Sequence, residues 1–351
     1  MMSEPRRTRA ALTGALITGI TLVLAGALVA VLVLLADEDD GADQAGERPP
    51  GSSSGVRPGV RPGDRPVKSL PKWEQVSPIG TPRDDFAHVV IGDEIWTFGG
   101  MTGARATRLV TTEIYDTGSD TWRSGPDLPK GLASFEGVAI GDEAYLFGGL
   151  NLQGRADDFS AVLDTTTGEW RRLPALPHAR YGHDVDLVGG KIHVVGGTGN
   201  DTRAVAEVDV FDPETRTWSQ AAPMPAARSN LDIVPVRGEL YAVGGWLGAR
   251  ETRRMQIYDP ATDSWRDTTP LPRPMARGGV AFVDGKLYAS HHEWSAVYDL
   301  ATRQWSRANP LTVSRHGLGY IAVGSKIYGI GGCTPSPLRD VTYVDVLDLS
   351  E

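Results

Sequence analysis

The chain has a single cysteine, few aromatic residues and no basic block in its globular part. With Cys333 alone, no disulfide can form within the chain. Aromatic residues account for only 7% of it, and its net charge is -9, from 44 acids against 35 bases. That balance argues against a nucleic-acid partner, which would need a clustered positive face. No Ser-His-Asp, HExxH, Walker or dinucleotide signature occurs, so the sequence assigns no catalytic residue, no metal ligand and no cofactor. What is abundant is glycine (42) and proline (24) in 351 residues. That composition excludes a helical bundle and predicts many strands joined by tight turns.

The amino terminus predicts a compartment. Ala10 to Ala36 run for 27 residues without a charge, which as a helix spans roughly 40 Å against a hydrocarbon core of about 30 Å. Arg6, Arg7 and Arg9 precede the run and Asp37, Glu38, Asp39 and Asp40 follow it, so the positive-inside rule keeps residues 1–9 in the cytoplasm. The competing reading is a cleaved signal peptide, whose apolar core is shorter, about 7–15 residues. The length therefore favours a single-pass signal anchor over 10–36, with everything after it extracytoplasmic at the cell membrane. Residues 37–66, acidic and then rich in Gly, Ser, Pro and Arg, cannot build a core and read as a disordered linker. The globular domain is expected over 67–351.

Internal repeats carry most of the information. A glycine pair ends an apolar strand at Gly99-Gly100, Gly148-Gly149, Gly196-Gly197, Gly244-Gly245 and Gly331-Gly332, the first four pairs spaced by 49, 48 and 48. Tryptophans recur in phase at Trp73, Trp122, Trp170, Trp218, Trp265 and Trp305, the last five each six residues after an aspartate: Asp116, Asp164, Asp212, Asp259 and Asp299. A period near 50 residues means units that bury their faces only by stacking on neighbours. In the third unit, strands are predicted over 181–188, 191–195, 206–211 and 217–221, four to a blade. The aspartates are expected to bond to turn amides. The indoles are expected to fill the space left by the glycine pairs.

Gly-Gly, then an aromatic or apolar residue before Asp, then Trp, resembles the kelch repeat over residues 73–349. The rival WD40 repeat needs a Trp-Asp dipeptide, and none of the nine tryptophans is followed by Asp. The resemblance implies an all-β fold, a six-bladed kelch β-propeller. Trp73 has no glycine pair before it, and the last unit ends without its Trp. The N-terminal strand is therefore predicted to join the last three and close the ring. Blade five lacks its glycine pair and has Ser290-His291-His292-Glu293 instead. Neighbouring side chains on an extended strand point to opposite faces, so these histidines are not expected to share a metal ion.

Aligning the glycine pairs brings Arg83, Arg180, Arg228 and Arg315 to one register, with Leu132 and Met275 in the other two blades. They are candidates to converge on the central channel and grip a carboxylate or phosphate, with His183, Asn230 and His316 nearby. The alternative is that each arginine braces its blade through backbone carbonyls. Trp246, beside Arg250, Arg253 and Arg254, is a candidate for protein or sugar contact. The loops between second and third strands are the candidate contact surface.

The function expected is an extracytoplasmic, membrane-anchored binding or scaffolding module for a protein or glycan ligand. The enzymatic alternative is suggested by resemblance: bacterial N-acetylneuraminate epimerases are also extracytoplasmic six-bladed kelch proteins. Galactose oxidase shares kelch blades too, but its copper site depends on a Cys-Tyr crosslink, and Cys333 beside Gly332 reads as a small buried residue.

Overall fold

The computed structural model describes residues 72–350. The anchor at 10–36, the linker at 37–66 and the segment up to 71 lie outside the described residues. Among the described residues, no helix is long and apolar enough to cross a membrane.

Six antiparallel four-stranded sheets follow one another along the chain. Blade one is Ala87–Ile91, Glu94–Phe98, Thr112–Asp116 and Thr121–Ser124. Blades two to five repeat that order, their first strands being Glu136–Ile140, Asp184–Val188, Asp232–Val236 and Gly279–Val283. Each first strand lies against the next, and Gly319–Val323 of blade six lies against Ala87–Ile91, so the ring closes at six. In the third blade the first strand begins at Asp184 rather than 181, because Gly182 has φ 59° and interrupts the extended backbone. Its third strand is Val208–Asp212 and its fourth Thr217–Ala221.

Burial follows position in the blade. Second strands such as Glu94–Phe98 and Glu239–Val243 are buried at every residue but the first, because neighbouring blades cover both faces. Outer strands such as Thr217–Ala221 keep most of their length exposed. Each fully buried Leu, Ile or Phe contributes about 1.5–3 kcal/mol by leaving water.

Blade six closes as the repeat count predicts. Glu74–Gln75 pairs with Val344–Asp348, Glu74 opposite Val346 and Gln75 opposite Asp345. Trp73 packs on Tyr320, ring centroids 5.9 Å apart, and donates its indole N–H to Asn309 O.

The glycine pairs stitch the blades together. At Gly99 a Cβ would lie 2.9 Å from Leu132 O of the next blade, and Gly100 N–H donates to that same carbonyl. Both residues have positive φ, 58° and 88°, which glycine alone adopts freely. The same bond runs from Gly149 to Arg180 O, Gly197 to Arg228 O, Gly245 to Met275 O and Gly332 to Arg83 O. The space beside each pair is thus taken by a neighbouring carbonyl, not by the indole as the sequence suggested. Trp122, Trp218, Trp265 and Trp305 pack instead on an aromatic residue in the third strand of their own blade, as Trp218 does on Phe211 at 5.0 Å, while Trp170 packs on Phe98 of blade one. Trp122, Trp218 and Trp265 also donate to carbonyls of the preceding blade, Ser77, Pro174 and Ala222. The turn aspartates do what their register predicts: Asp116 Oδ1 accepts from the N–H groups of Gly118 and Ser119.

Candidate functional site

Two residues before each first strand, the backbone turns into the left-handed region: Asp85 (φ 51°), Ser134 (52°), Gly182 (59°), Asn230 (51°), Arg277 (55°) and Gly317 (60°). These six residues form a closed hydrogen-bonded collar. Ser134 N–H donates to Asp85 O, Gly182 to Ser134, Asn230 to Gly182, Arg277 to Asn230, Gly317 to Arg277 and Asp85 to Gly317, at 2.6 to 3.0 Å. Left-handed backbone costs roughly 1–2 kcal/mol at a residue with a Cβ, so Ser134 and Arg277 are strained there. Strain of this kind persists only where surrounding structure enforces it.

Below the collar lies a cavity of about 500 Å³, lined by all six blades. Glu136, Asp184 and Asp232 share one register on blades two, three and four, opposite Phe147, Val195 and Val243. Ala87, Gly279 and Gly319 hold that register on the other blades. One wall of the channel is therefore acidic. Burial pushes Asp232 up to about 7 and Glu136 acts in the same direction; Asp186 is pushed up to about 7 by burial, and Asp184 well above its usual range. Asp184 Oδ2 still accepts the N–H of Ile233 at 2.6 Å. His88 Nδ1 lies 3.5 Å from Glu136 Oε2. Burial pulls His88 down, but Glu136 and the Tyr320 backbone outweigh it, and the net direction is upward.

The four register arginines are not in this cavity, which corrects the expectation that they grip a ligand. Arg83, Arg180, Arg228 and Arg315 are all 0% exposed. Arg83 donates to Gly99 O and Thr111 O and pairs with Glu113. Arg180 donates to Gly196 O and Glu207 O and pairs with Asp209. Arg228 reaches Gly244 O and the neutral Gln256 Oε1, and Arg315 reaches Gly329 O and Asp345. Leu132 and Met275 at this register are also 0% exposed. The position is core, and its backbone parity turns the side chain into the blade.

The other candidates divide. His183 and Asn230 do line the channel. His183 Nε2 is 3.0 Å from Phe147 O, and burial, then Arg180, drive its pKa down to about 3, so it is a neutral donor. His316 precedes the collar residue Gly317 and faces His292, ring centroids 5.1 Å apart. His291 and His292 also touch, at 4.1 Å. Their predicted divergence fails because His292 has φ 49° and sits in the turn, where strand alternation does not hold. Trp246 is half-buried in a short hairpin, its backbone N–H donating to Ser229 O at 2.7 Å.

Sequence reasoning missed the acidic wall. The signal was available: Glu136, Asp184 and Asp232 each stand twelve residues before Gly148, Gly196 and Gly244. The collar offered no such signal, because Asp, Ser, Asn, Arg and Gly share one conformation there.

Around the collar, the loops between second and third strands form one face. The exposed large apolar residues among the described residues are Val110, Leu152 (65%), Leu247 and Leu338 (73%), and all four lie on these loops. Arg105, Arg155, Arg203, Arg250, Arg254 and Arg339 are exposed on the same set of loops.

Comparison with known proteins agrees with this architecture. A profile of the KLHDC2/KLHL20/DRC7 Kelch-repeats domain matches residues 134–332, more than half of the chain, and the Kelch motif matches 82–129. The chain belongs to the kelch-repeat family. The kelch propeller is 32% identical over 72 residues to the F-box protein AFR of Arabidopsis thaliana, covering 20% of this chain and 19% of that one. It is 33% identical over 78 residues to the Kelch repeat and BTB domain-containing protein 2 of Cowpox virus, covering 22% and 14%. It is 31% identical over 96 residues to the N-(sulfonatooxy)prop-2-enimidothioate sulfolyase of Thlaspi arvense, covering 25% and 28%. The match thus spans less than a third of each relative. The solved structure of YjhT has the same fold, with a TM-score of 0.68, 16% identity, and 79% of this chain and 97% of that one covered.

Proposed function

We propose that the kelch propeller is a binding module that takes a protein partner on the face carrying the collar. The observation that carries this reading is that Leu152, Leu247 and Leu338 are exposed on loops of one face, which also carry exposed arginines, in a chain whose net charge is -9. Exposed apolar side chains on the loops of one face offer contacts to a partner, and Arg contributes strongly to binding hot spots. A partner suited to this face presents apolar side chains among acidic ones. With residues 10–36 as anchor, the propeller works outside the cell membrane, its binding face free to engage a neighbouring envelope protein. The test measures binding of the full chain to acidic, leucine-containing peptides and to a glycan array. Leu152→Asp with Leu338→Asp is expected to weaken peptide binding at least tenfold at unchanged Tm; equal binding by the double variant sinks the reading.

A second reading rests on the channel. Asp186 and Asp232, raised to about 7, and the His88–Glu136 pair are suited to proton transfer at neutral pH. An enzyme acting on sugars, of the N-acetylneuraminate epimerase type, would use them. Turnover of sialic acid anomers followed by NMR, lost in Asp232→Asn, is the outcome that would favour it.

A further inference from the structure

The seam where blade six meets blade one holds a further cluster, partly on the loop hairpin that also carries Leu338 and Arg339. Cys333 and Asp340 are directly opposed across the short hairpin Cys333–Pro335 and Leu338–Asp340 of blade six, so their side chains share one side of it. Asp84 comes from blade one, where it bridges Met101. One ligand atom from each of Asp84, Cys333 and Asp340 lies within 4.8 Å of the others. Asp84 and Cys333 are each 4% exposed. Asp84 Oδ2 lies 3.5 Å from Arg277, which is held mainly by Asp85, and Asp84 Oδ1 is buried with no hydrogen-bond partner at all. A buried carboxylate oxygen without a partner is costly, and an ion is one of the few things that satisfies it. Asp340 Oδ2 accepts the N–H of Gly103, which draws the loop of blade one onto the same cluster.

We propose that Asp84, Cys333 and Asp340 form a zinc site that clamps blade six to blade one. A thiolate with two carboxylates suits a borderline-soft divalent ion, and water completes the tetrahedron. Tetrahedral ligands about 2.0–2.3 Å from zinc stand roughly 3.5 Å apart, so the set needs only a modest contraction. Zinc displaces the Cys333 thiol proton to solvent as its bond forms.

The test uses the full chain in detergent, stripped with chelator and titrated with Co²⁺ and Zn²⁺. Cys333 is the only cysteine, so a thiolate-to-cobalt charge-transfer band has one possible source. The band is expected to saturate at one equivalent and to be displaced by zinc. One zinc per chain is expected to survive desalting. Cys333→Ser abolishes the band. Asp340→Asn, at a half-buried position that a neutral isostere fills without unfolding, weakens cobalt binding at least tenfold with unchanged circular dichroism. Absence of the band in the unmodified chain, or an Asp340→Asn variant that binds cobalt as tightly, overturns the proposal.

Discussion

Asp85 and Arg277 clasp each other at 2.5 Å, from blades one and five, beside the bare α-carbon of Gly317 in blade six. A Cβ at Gly317 would lie 2.7 Å from Asp85 Oδ1 and 3.3 Å from Arg277, in a residue with φ 60°. Gly317→Ala is therefore expected to destabilise the domain by about 1–3 kcal/mol through backbone strain and the displaced clasp. Urea unfolding measures it; a variant as stable as the parent would mean that the collar yields freely.

The buried arginines are predicted to differ according to what each leaves behind. Arg180→Met takes the buried cation from Asp209, which is 0% exposed and is left with only His178 as a side-chain partner, and should cost about 3–5 kcal/mol. Arg228→Met leaves the neutral Gln256 and a carbonyl, and should cost about 1–3 kcal/mol. Thermal and denaturant unfolding of the two variants side by side gives the order. A reversed order would contradict the assigned partners.

Ring closure depends on few residues. Trp73 is 7% exposed and packs on Tyr320 of the first strand of blade six, so Trp73→Ala is expected to lose about 3–5 kcal/mol. Removal of residues 1–76 is expected to abolish the single cooperative transition, read by differential scanning calorimetry.

The channel carboxylates set a pH dependence of stability. Asp186 and Asp232 have folded pKa values near 7, above the unfolded value of about 3.9. Between these limits the folded state binds more protons than the unfolded state, so stability falls as pH rises from about 4 to 7. Asp232→Asn is expected to flatten this slope and to raise Tm at pH 8 relative to the parent. A parent chain whose Tm rises steadily over that window would show these groups already ionised.

Much of the fold was legible because its determinants are periodic. Gly99, Gly148, Gly196 and Gly244 mark strand ends, and the unmatched Trp73 marks where the chain meets itself. The roles of residues at one register were less legible. Arg180 and Asp184 lie four residues apart, yet one enters the blade and the other the channel, because Gly182 between them reverses the backbone sense. No hydrophobic pattern records such a reversal. His292 escaped strand alternation for the same reason. Leu152 and Leu247 fall on loops expected to make contacts, but the exposure of these leucines and of Leu338 is a property of three-dimensional packing that residue type conceals.

Five of the six blade junctions carry a glycine-pair amide bonded to the neighbouring carbonyl, and the junction from blade five to blade six, where Ser290, His291 and His292 replace the pair, does not. The amide stitch is therefore missing at one junction, and it is not where the two chain ends meet. Under pulling force or in slow amide exchange, rupture should begin between blades five and six, leaving blades six through five as one connected arc.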